Sequence, residues 1–182
     1  MNKKLIVLQN GYRDCAGACL LSIIKYYGGN ISLEELNYII NTDKFGTNAY
    51  NMIEGMKTIG FDGFGEKHKL EELVKIQHCF PFIAYVKSNN NYHYIVIYDY
   101  DIKNQKFKVM DPAYGYKKIK YEDLKKVYLD VILIFKKVKE IPCLEEQNEL
   151  LKYIFKIFKS EKINIFKITI LSIIITIFSI IN

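Results

Sequence analysis

The feature that most constrains this chain is a cysteine at the start of an amphipathic helix. The stretch runs Gln9-Asn10-Gly11-Tyr12-Arg13-Asp14-Cys15, and apolar residues then recur at helical spacing until Gly28-Gly29. Unpaired backbone N–H groups at a helix N-terminus stabilise a thiolate, which makes Cys15 a candidate nucleophile. The side-chain amide of Gln9 can donate a hydrogen bond to the oxyanion of an acyl-transfer intermediate. This pattern indicates cysteine hydrolase chemistry.

A thiol nucleophile needs a base, and the chain has 3 histidines that could supply one. His93 lies in residues 91–98, a run of aromatic and β-branched residues that predicts a strand. His68 follows the turn-like stretch 63–65 between two lysines, and His78 lies at a predicted helix-to-strand junction. Because a base must be held rigidly against the thiol, the strand position of His93 is preferred.

The next candidate is Asp111, at the end of another predicted strand and just before Pro112. A carboxylate at this point can accept the second imidazole N–H of His93 and fix its tautomer. Each candidate alone has an ordinary explanation, as a buried thiol, a core histidine or a turn-opening acid. Their order and spacing together favour catalysis, with Cys15 as nucleophile, His93 as base, Asp111 as its orienting acid and Gln9 as oxyanion donor.

At these residues the chain resembles cysteine-peptidase family 39, the double-glycine leader peptidases at the N-termini of bacteriocin-exporting ABC transporters. The similar segments are Gln9 with Asp14-Cys15, His93-Tyr94-Ile95-Val96 and Asp111-Pro112-Ala113. The family usually has glycine directly after the nucleophile, whereas this chain has Ala16 and then Gly17. Because alanine is a good helix former, the helix is expected to begin normally.

The resemblance implies an α+β, papain-like cysteine peptidase whose N-terminal helices pack on an antiparallel sheet, followed by a transmembrane helix. The implied activity is removal of double-glycine leaders from bacteriocin or peptide-pheromone precursors, coupled to export by an ABC transporter. The implied partners are the precursor, the membrane, and transmembrane and ATPase domains, with a homodimer in a full transporter. No cofactor is expected for the peptidase, and ATP is expected only on a separate nucleotide-binding domain.

Hydrophobic periodicity predicts that helices come first and strands second. A capping box at Ser32-Leu33-Glu34-Glu35 begins a second helix that ends near Ile40. The other predicted helices are 48–59, 70–76 and 121–128, and the predicted strands are 82–86, 92–100, 107–110 and 131–135.

The end of the chain differs in composition from the predicted peptidase domain, residues 1–136. Residues 137–162 form a lysine-rich connector, and residues 163–182 are mostly apolar and carry no charge apart from Lys167 near the start. A helix counted from Ile163 would span about 28 Å, against a hydrocarbon core of about 30 Å. We therefore predict the start of a transmembrane region, apparently truncated. Because lysines precede the segment, the positive-inside rule predicts a peptidase on the cytoplasmic side of the cell membrane.

Several other classes of protein are disfavoured. The net charge of +6 comes from lysines dispersed along the chain with a single arginine, which argues against nucleic acid. The cysteine and histidine spacing does not match a structural zinc site, so no metal is predicted. A cysteine acyltransferase stays open as an alternative, although Gln9 argues against it. The second alternative is a non-catalytic leader-binding module of a truncated transporter, although Cys15 argues against it.

Overall fold

The computed structural model describes residues 2–75, 80–88 and 91–143, followed by positions 159–161, 164, 166, 167, 170–173, 176 and 179. The chain divides into two compact units, residues 1–144 and 145–182. In the first unit, three helices precede a 6-stranded antiparallel sheet, which confirms the predicted α+β class.

A 3₁₀ turn at Lys3–Leu5 precedes the regular elements. The helices are α1 (Cys15–Tyr26), α2 (Leu33–Ile39), α3 (Ala49–Thr58), α4 (Leu70–Leu73) and α5 (Tyr121–Lys125). The strands are β1 (Phe61–Lys67), β2 (Phe82–Ser88), β3 (Asn91–Asp101), β4 (Lys106–Asp111), β5 (Gly115–Lys120) and β6 (Tyr128–Lys137). The sheet order is β1-β6-β2-β3-β4-β5, and all neighbouring strands are antiparallel.

Helix α1 lies at the centre of the core and begins at Cys15, as predicted. Its residues from Cys15 to Ile24 are all buried, because the helix packs against β3 and against α2. A side chain at Gly17 would overlap the side chain of Asn37 in α2, so glycine permits the close approach of these helices. The predicted N-cap of α2 is also present, since the hydroxyl of Ser32 accepts from the backbone N–H of Glu35.

The sheet carries a hydrophobic cluster on each face. Val96 and Met110 pack with α1 to α3 on one face, whereas their neighbours Ile95 and Val109 pack with α4 and α5 on the other. This alternation follows from the two-residue repeat of a strand. Strands β3 and β4 are thereby fixed from both sides, which matters because they carry His93 and Asp111.

Two strands differ from the prediction. The stretch 63–65 was expected to be a turn, but it lies inside β1, where a Cβ on Gly63 would come within 2.6 Å of the Phe135 ring. The glycine is therefore required by cross-strand packing. Strand β5 was not predicted because it is rich in lysine, a composition that suits an edge strand.

The other predicted elements differ mainly in length. Helix α5 ends at Lys125 rather than near residue 128, where β6 has already begun. Helix α4 ends at Leu73, whereas the predicted end at Ile76 lies outside the described residues. His78 also lies outside them.

The described positions of the second unit are mostly helical. Among them the apolar side chains of Phe166, Ile170, Leu171 and Ile173 are exposed. Much of the predicted transmembrane region 163–182 lies outside the described residues. Within the part of the chain that is described, no helix combines the length and apolar character needed to cross a membrane.

Candidate active site

The candidate nucleophile Cys15 is the first residue of α1, with Asp14 at the N-cap position. The carboxylate of Asp14 makes no capping hydrogen bond and instead accepts from the Asn37 side-chain amide at 3.1 Å. The first-turn N–H groups are thus left without a carboxylate cap. The thiol is 9% exposed, so it lies at the positive end of the helix dipole with little competing solvent.

His93 and Asp111 come together from neighbouring strands. The Nε2 atom of His93 lies 3.0 Å from Oδ1 of Asp111, and the two side chains are 14% and 5% exposed. His93 also shares a hydrogen bond with Cys15, and because Nε2 is engaged by the carboxylate, Nδ1 is the nitrogen available to the thiol. The structure thus brings the three predicted residues into one chain of hydrogen bonds.

The electrostatics of this chain favour a charged imidazole. Burial lowers the pKa of His93, but hydrogen bonds to Asp111 and Cys15 outweigh it and raise the pKa to about 9. Burial raises the pKa of Asp111, but its hydrogen bonds, with His93 first, lower the pKa to about 2. The raised pKa of His93 makes its imidazole a strong acceptor for the thiol proton at neutral pH.

The carboxylate of Asp111 has two further partners. The backbone N–H of Ala113 donates to Oδ1 at 2.9 Å, and Nζ of Lys117 lies 2.5 Å from Oδ2. Lys117 was not predicted as a site residue. Its place beside Asp111 depends on the β4–β5 register, in which Asp111 pairs with Gly115 and Lys117 is a diagonal neighbour on the same face, and β5 was not predicted from the sequence.

Gln9 is tied by its backbone to the turn that follows Asp111. Its N–H donates to the carbonyl of Pro112 at 3.0 Å. Its side chain lines a cavity of about 200 Å³ together with His93. The amide oxygen is buried and has no partner among the described residues, and no described residue engages the amide nitrogen. The nitrogen is therefore available to a ligand in this cavity.

Cys15 lines a larger, neighbouring cavity of about 480 Å³. Tyr12 and Tyr92 line both cavities, so the space beside Cys15 adjoins the space beside His93. The Tyr12 hydroxyl donates to the carbonyl of Lys44 at 3.1 Å, which fixes the tyrosine against the loop between α2 and α3. The two cavities together form a cleft of the kind that can hold an extended peptide across Cys15.

Other candidate groups lie elsewhere or are inert. His68 is paired with Glu66 and Glu72 and touches neither cavity. Cys19 is fully buried, and burial together with the charges of Cys15 and Asp111 raises its pKa. Within the described ranges, no group of three or more His, Cys, Asp or Glu side chains could hold a metal ion.

A buried thiol–imidazole–carboxylate chain on an α+β fold defines the cysteine-hydrolase class of site. The family model described as the Peptidase C39 family matches residues 3–140, and the chain belongs to this family. The family predicted from the sequence is therefore confirmed.

Curated relatives include transporters much longer than this chain. The chain is 30% identical over 180 residues to the lactococcin-G-processing and transport ATP-binding protein LagD of Lactococcus lactis subsp. lactis. The alignment covers 98% of this chain but 24% of that protein, so the chain spans about a quarter of its length.

Two solved structures share the fold. A double-glycine-motif protease from an AMS/PCAT transporter, in complex with the leader peptide, has a TM-score of 0.67 and 26% identity, covering 73% of this chain and 91% of that one. The peptidase domain of Streptococcus ComA, a bifunctional ABC transporter, has a TM-score of 0.68 and 27% identity, covering 74% and 98%. The chain is thus a peptidase domain homologous to those of bacteriocin transporters.

Proposed function

We propose that this chain is a cysteine endopeptidase that cleaves precursor peptides directly after a double-glycine leader. The observation that carries the proposal is the chain of contacts at the site. Cys15 lies at the start of α1 and is hydrogen-bonded to His93, which lies 3.0 Å from Asp111. The substrate class comes from the relatives, one of which processes lactococcin G and another of which is a double-glycine protease bound to its leader.

The first half of the reaction forms a thioester. His93 takes the thiol proton, and the thiolate of Cys15 attacks the carbonyl carbon of the second glycine. The amide nitrogen of Gln9 and the backbone N–H of Cys15 donate to the resulting oxyanion. When the intermediate collapses, the C–N bond breaks and the leaving amine takes its proton from His93.

The second half restores the enzyme. His93 removes a proton from a water molecule, and the hydroxide adds to the thioester carbonyl. The C–S bond then breaks, Cys15 regains its proton from His93, and the leader leaves with a carboxyl group that loses its proton to solvent. Asp111 keeps its negative charge throughout and stabilises the imidazolium that forms twice in each cycle.

Two glycines before the cleaved bond imply a narrow substrate channel. We propose that tyrosines of the cleft form its walls. Tyr12 and Tyr92 line the cavities beside both Cys15 and His93, and Tyr85 and Tyr94 line the cavity on the Cys15 side. Burial raises the pKa of Tyr94, so its hydroxyl is neutral at physiological pH. We propose that these rings admit a backbone without side chains and exclude larger residues.

The wider setting is also proposed from the relatives. The peptidase would act beside transmembrane and ATPase domains of an ABC transporter, as a homodimer, with residues 163–182 anchoring it on the cytoplasmic side of the membrane. The exposed apolar side chains of Phe166, Ile170, Leu171 and Ile173 support the membrane proposal. Fractionation of cells that produce the full chain tests it, since recovery in the soluble fraction without detergent would refute the anchor.

The activity is tested with the full-length chain in mild detergent and a precursor that carries a Gly-Gly leader. The wild-type chain should cut after the second glycine, and Cys15→Ala should abolish cleavage while leader binding persists. Cys19→Ala is the matched control, because it removes a thiol from the same helix and should keep activity. Cleavage by Cys15→Ala at the wild-type rate would refute the assignment. Binding without cleavage by the wild-type chain would favour a leader-binding module.

Iodoacetamide gives an independent test. Cys143 is exposed and would also react, so the experiment uses a background in which Cys79 and Cys143 are replaced by serine. Alkylation should then modify Cys15 and stop cleavage in parallel. Full activity after complete alkylation of Cys15 would contradict the proposal.

A further inference from the structure

The carboxylate of Asp111 is held from both sides. Oδ1 accepts hydrogen bonds from the imidazole of His93 and from the N–H of Ala113. Among the described residues, the partner of Oδ2 is Lys117. The carboxylate is 5% exposed, so little solvent is available to replace a lost partner.

The fold fixes which lysine makes this contact. The β4–β5 hairpin pairs Asp111 with Gly115 and Val109 with Lys117, so Lys117 and Asp111 share a face of the sheet. The next residue, Lys118, points to the opposite face, where it pairs with Lys108 in register. Lys118 is exposed and makes no ion pair with a described residue.

The lysine head group is itself constrained. Its Nζ lies 5.0 Å from the centroid of the Tyr114 ring, and the side chain is 37% exposed. The ring and the carboxylate together favour a single position for the ammonium group. The contact thus differs from a surface ion pair, in which both partners are solvated and mobile.

We propose that Lys117 is a positioning residue of the active site, which holds the carboxylate of Asp111 so that Oδ1 faces His93. The inference deepens the proposed peptidase function and rests on it for the catalytic role of Asp111. Without Lys117, Oδ2 would lose its donor, and the carboxylate would keep its contacts with His93 and Ala113 through Oδ1. It would stay ionised beside the imidazolium, but its orientation would be less firmly fixed.

Lys117 also moderates the charge on the imidazole. The imidazolium and the ammonium group share one carboxylate, so each reduces the stabilisation that the other receives. Removal of the ammonium group leaves the whole carboxylate charge to His93. The pKa of His93 should then rise, by about one unit for a neighbouring charge at this range.

The test measures the titration of His93 by NMR in a full-length Cys15→Ala chain labelled with ¹⁵N-histidine, which needs no peptidase activity. Lys117→Met should raise the pKa of His93 by about one unit. Lys117→Arg, which keeps the charge, and Lys118→Met, the neighbouring control, should leave the titration unchanged. In chains that retain Cys15, Lys117→Met should lower kcat about tenfold without a change in KM, because Lys117 lines neither cavity of the cleft.

An unchanged His93 titration in folded Lys117→Met would overturn the inference, and a shift of the same size in Lys118→Met would also overturn it. If Lys117→Met does not fold, Lys117→Gln is judged by the same titration, because it keeps a donor but loses the charge. A chain that binds leaders but never cleaves them would remove the peptidase proposal, yet the titration would still decide whether Lys117 positions the imidazole through Asp111.

Discussion

Both histidines among the described residues have carboxylate partners, and only one of them has the setting of a catalytic base. His68 contacts Glu66 at 2.6 Å and Glu72 at 3.3 Å, at the end of β1 and next to α4. His93 contacts Asp111 at 3.0 Å and also bonds to the thiol of Cys15. The hydrogen bond to Glu66 raises the pKa of His68, and the partners of His93 raise its pKa to about 9.

The difference lies in what surrounds each pair. The partners of His68 are themselves about half exposed, and no nucleophile lies beside the ring among the described residues. Asp111 is 5% exposed, and His93 lies between this carboxylate and Cys15 at the N-terminus of α1. A histidine with a raised pKa is therefore not evidence of catalysis. The evidence for catalysis is a buried acid on one ring nitrogen together with a thiol on the other.

The largest expected effect separates the two histidines. His93→Ala should reduce kcat about 10⁴-fold, because the general base and the general acid are lost together. His68→Ala and His78→Ala should turn over at the wild-type rate. Steady-state cleavage of a double-glycine precursor measures all three. Full activity in His93→Ala, with either of the others inactive, would reverse the comparison.

Next in size is the effect of removing Gln9, the proposed oxyanion donor. Gln9→Ala should lower kcat by about 10²–10³-fold with little change in KM, because the lost donor acts mainly in the transition state. Gln9→Glu removes the donor at nearly constant volume and should give a similar loss. An effect on KM alone would show that Gln9 binds substrate rather than the oxyanion.

The carboxylate partners of the two histidines, Asp111 and Glu66, should also differ in their effect on kcat. Asp111→Ala should lower kcat about 10²-fold, less than His93→Ala, because the acid orients the base without itself moving the proton. Glu66→Ala, which removes the equivalent partner from His68, should leave kcat unchanged. Comparable losses in the two variants would mean that both carboxylates act through general folding stability.

The smallest effect concerns the His68 region itself. The raised pKa of His68 means that its glutamate contacts stabilise the fold fully below about pH 6.5, the unfolded value, and that this stabilisation is lost as pH rises through the folded value. His68→Gln should therefore cost a few tenths of a kcal/mol at pH 6 and nothing at pH 9. Urea unfolding at the two pH values measures this. A larger loss of unfolding free energy at pH 9 than at pH 6 would contradict the predicted direction of the pH dependence.

The sequence predicted the helical half of the site well because its signals are local. The start of α1 follows from the apolar repeat after Cys15, and the N-cap of α2 follows from Ser32 and its neighbours. The strand that carries His93 was also predicted, since aromatic and β-branched residues are concentrated there.

The parts that were not predicted depend on partners distant in sequence. Gly63 resembles a turn residue until Phe135 packs over it from β6. Lys117 is one of many lysines until the β4–β5 register puts it beside Asp111. Such contacts are set by pairing between strands, and the local periodicity of the chain does not contain that information.

The central claim is that Cys15, activated by His93, attacks the peptide bond after the second glycine. The most direct measurement uses a leader peptide whose terminal Gly-Gly carries a chloromethyl ketone, followed by mass spectrometry of the digested full-length chain. We predict one adduct, on Cys15, and a much slower reaction in His93→Ala. An adduct on Cys19, Cys79 or Cys143 with Cys15 unmodified would contradict the account.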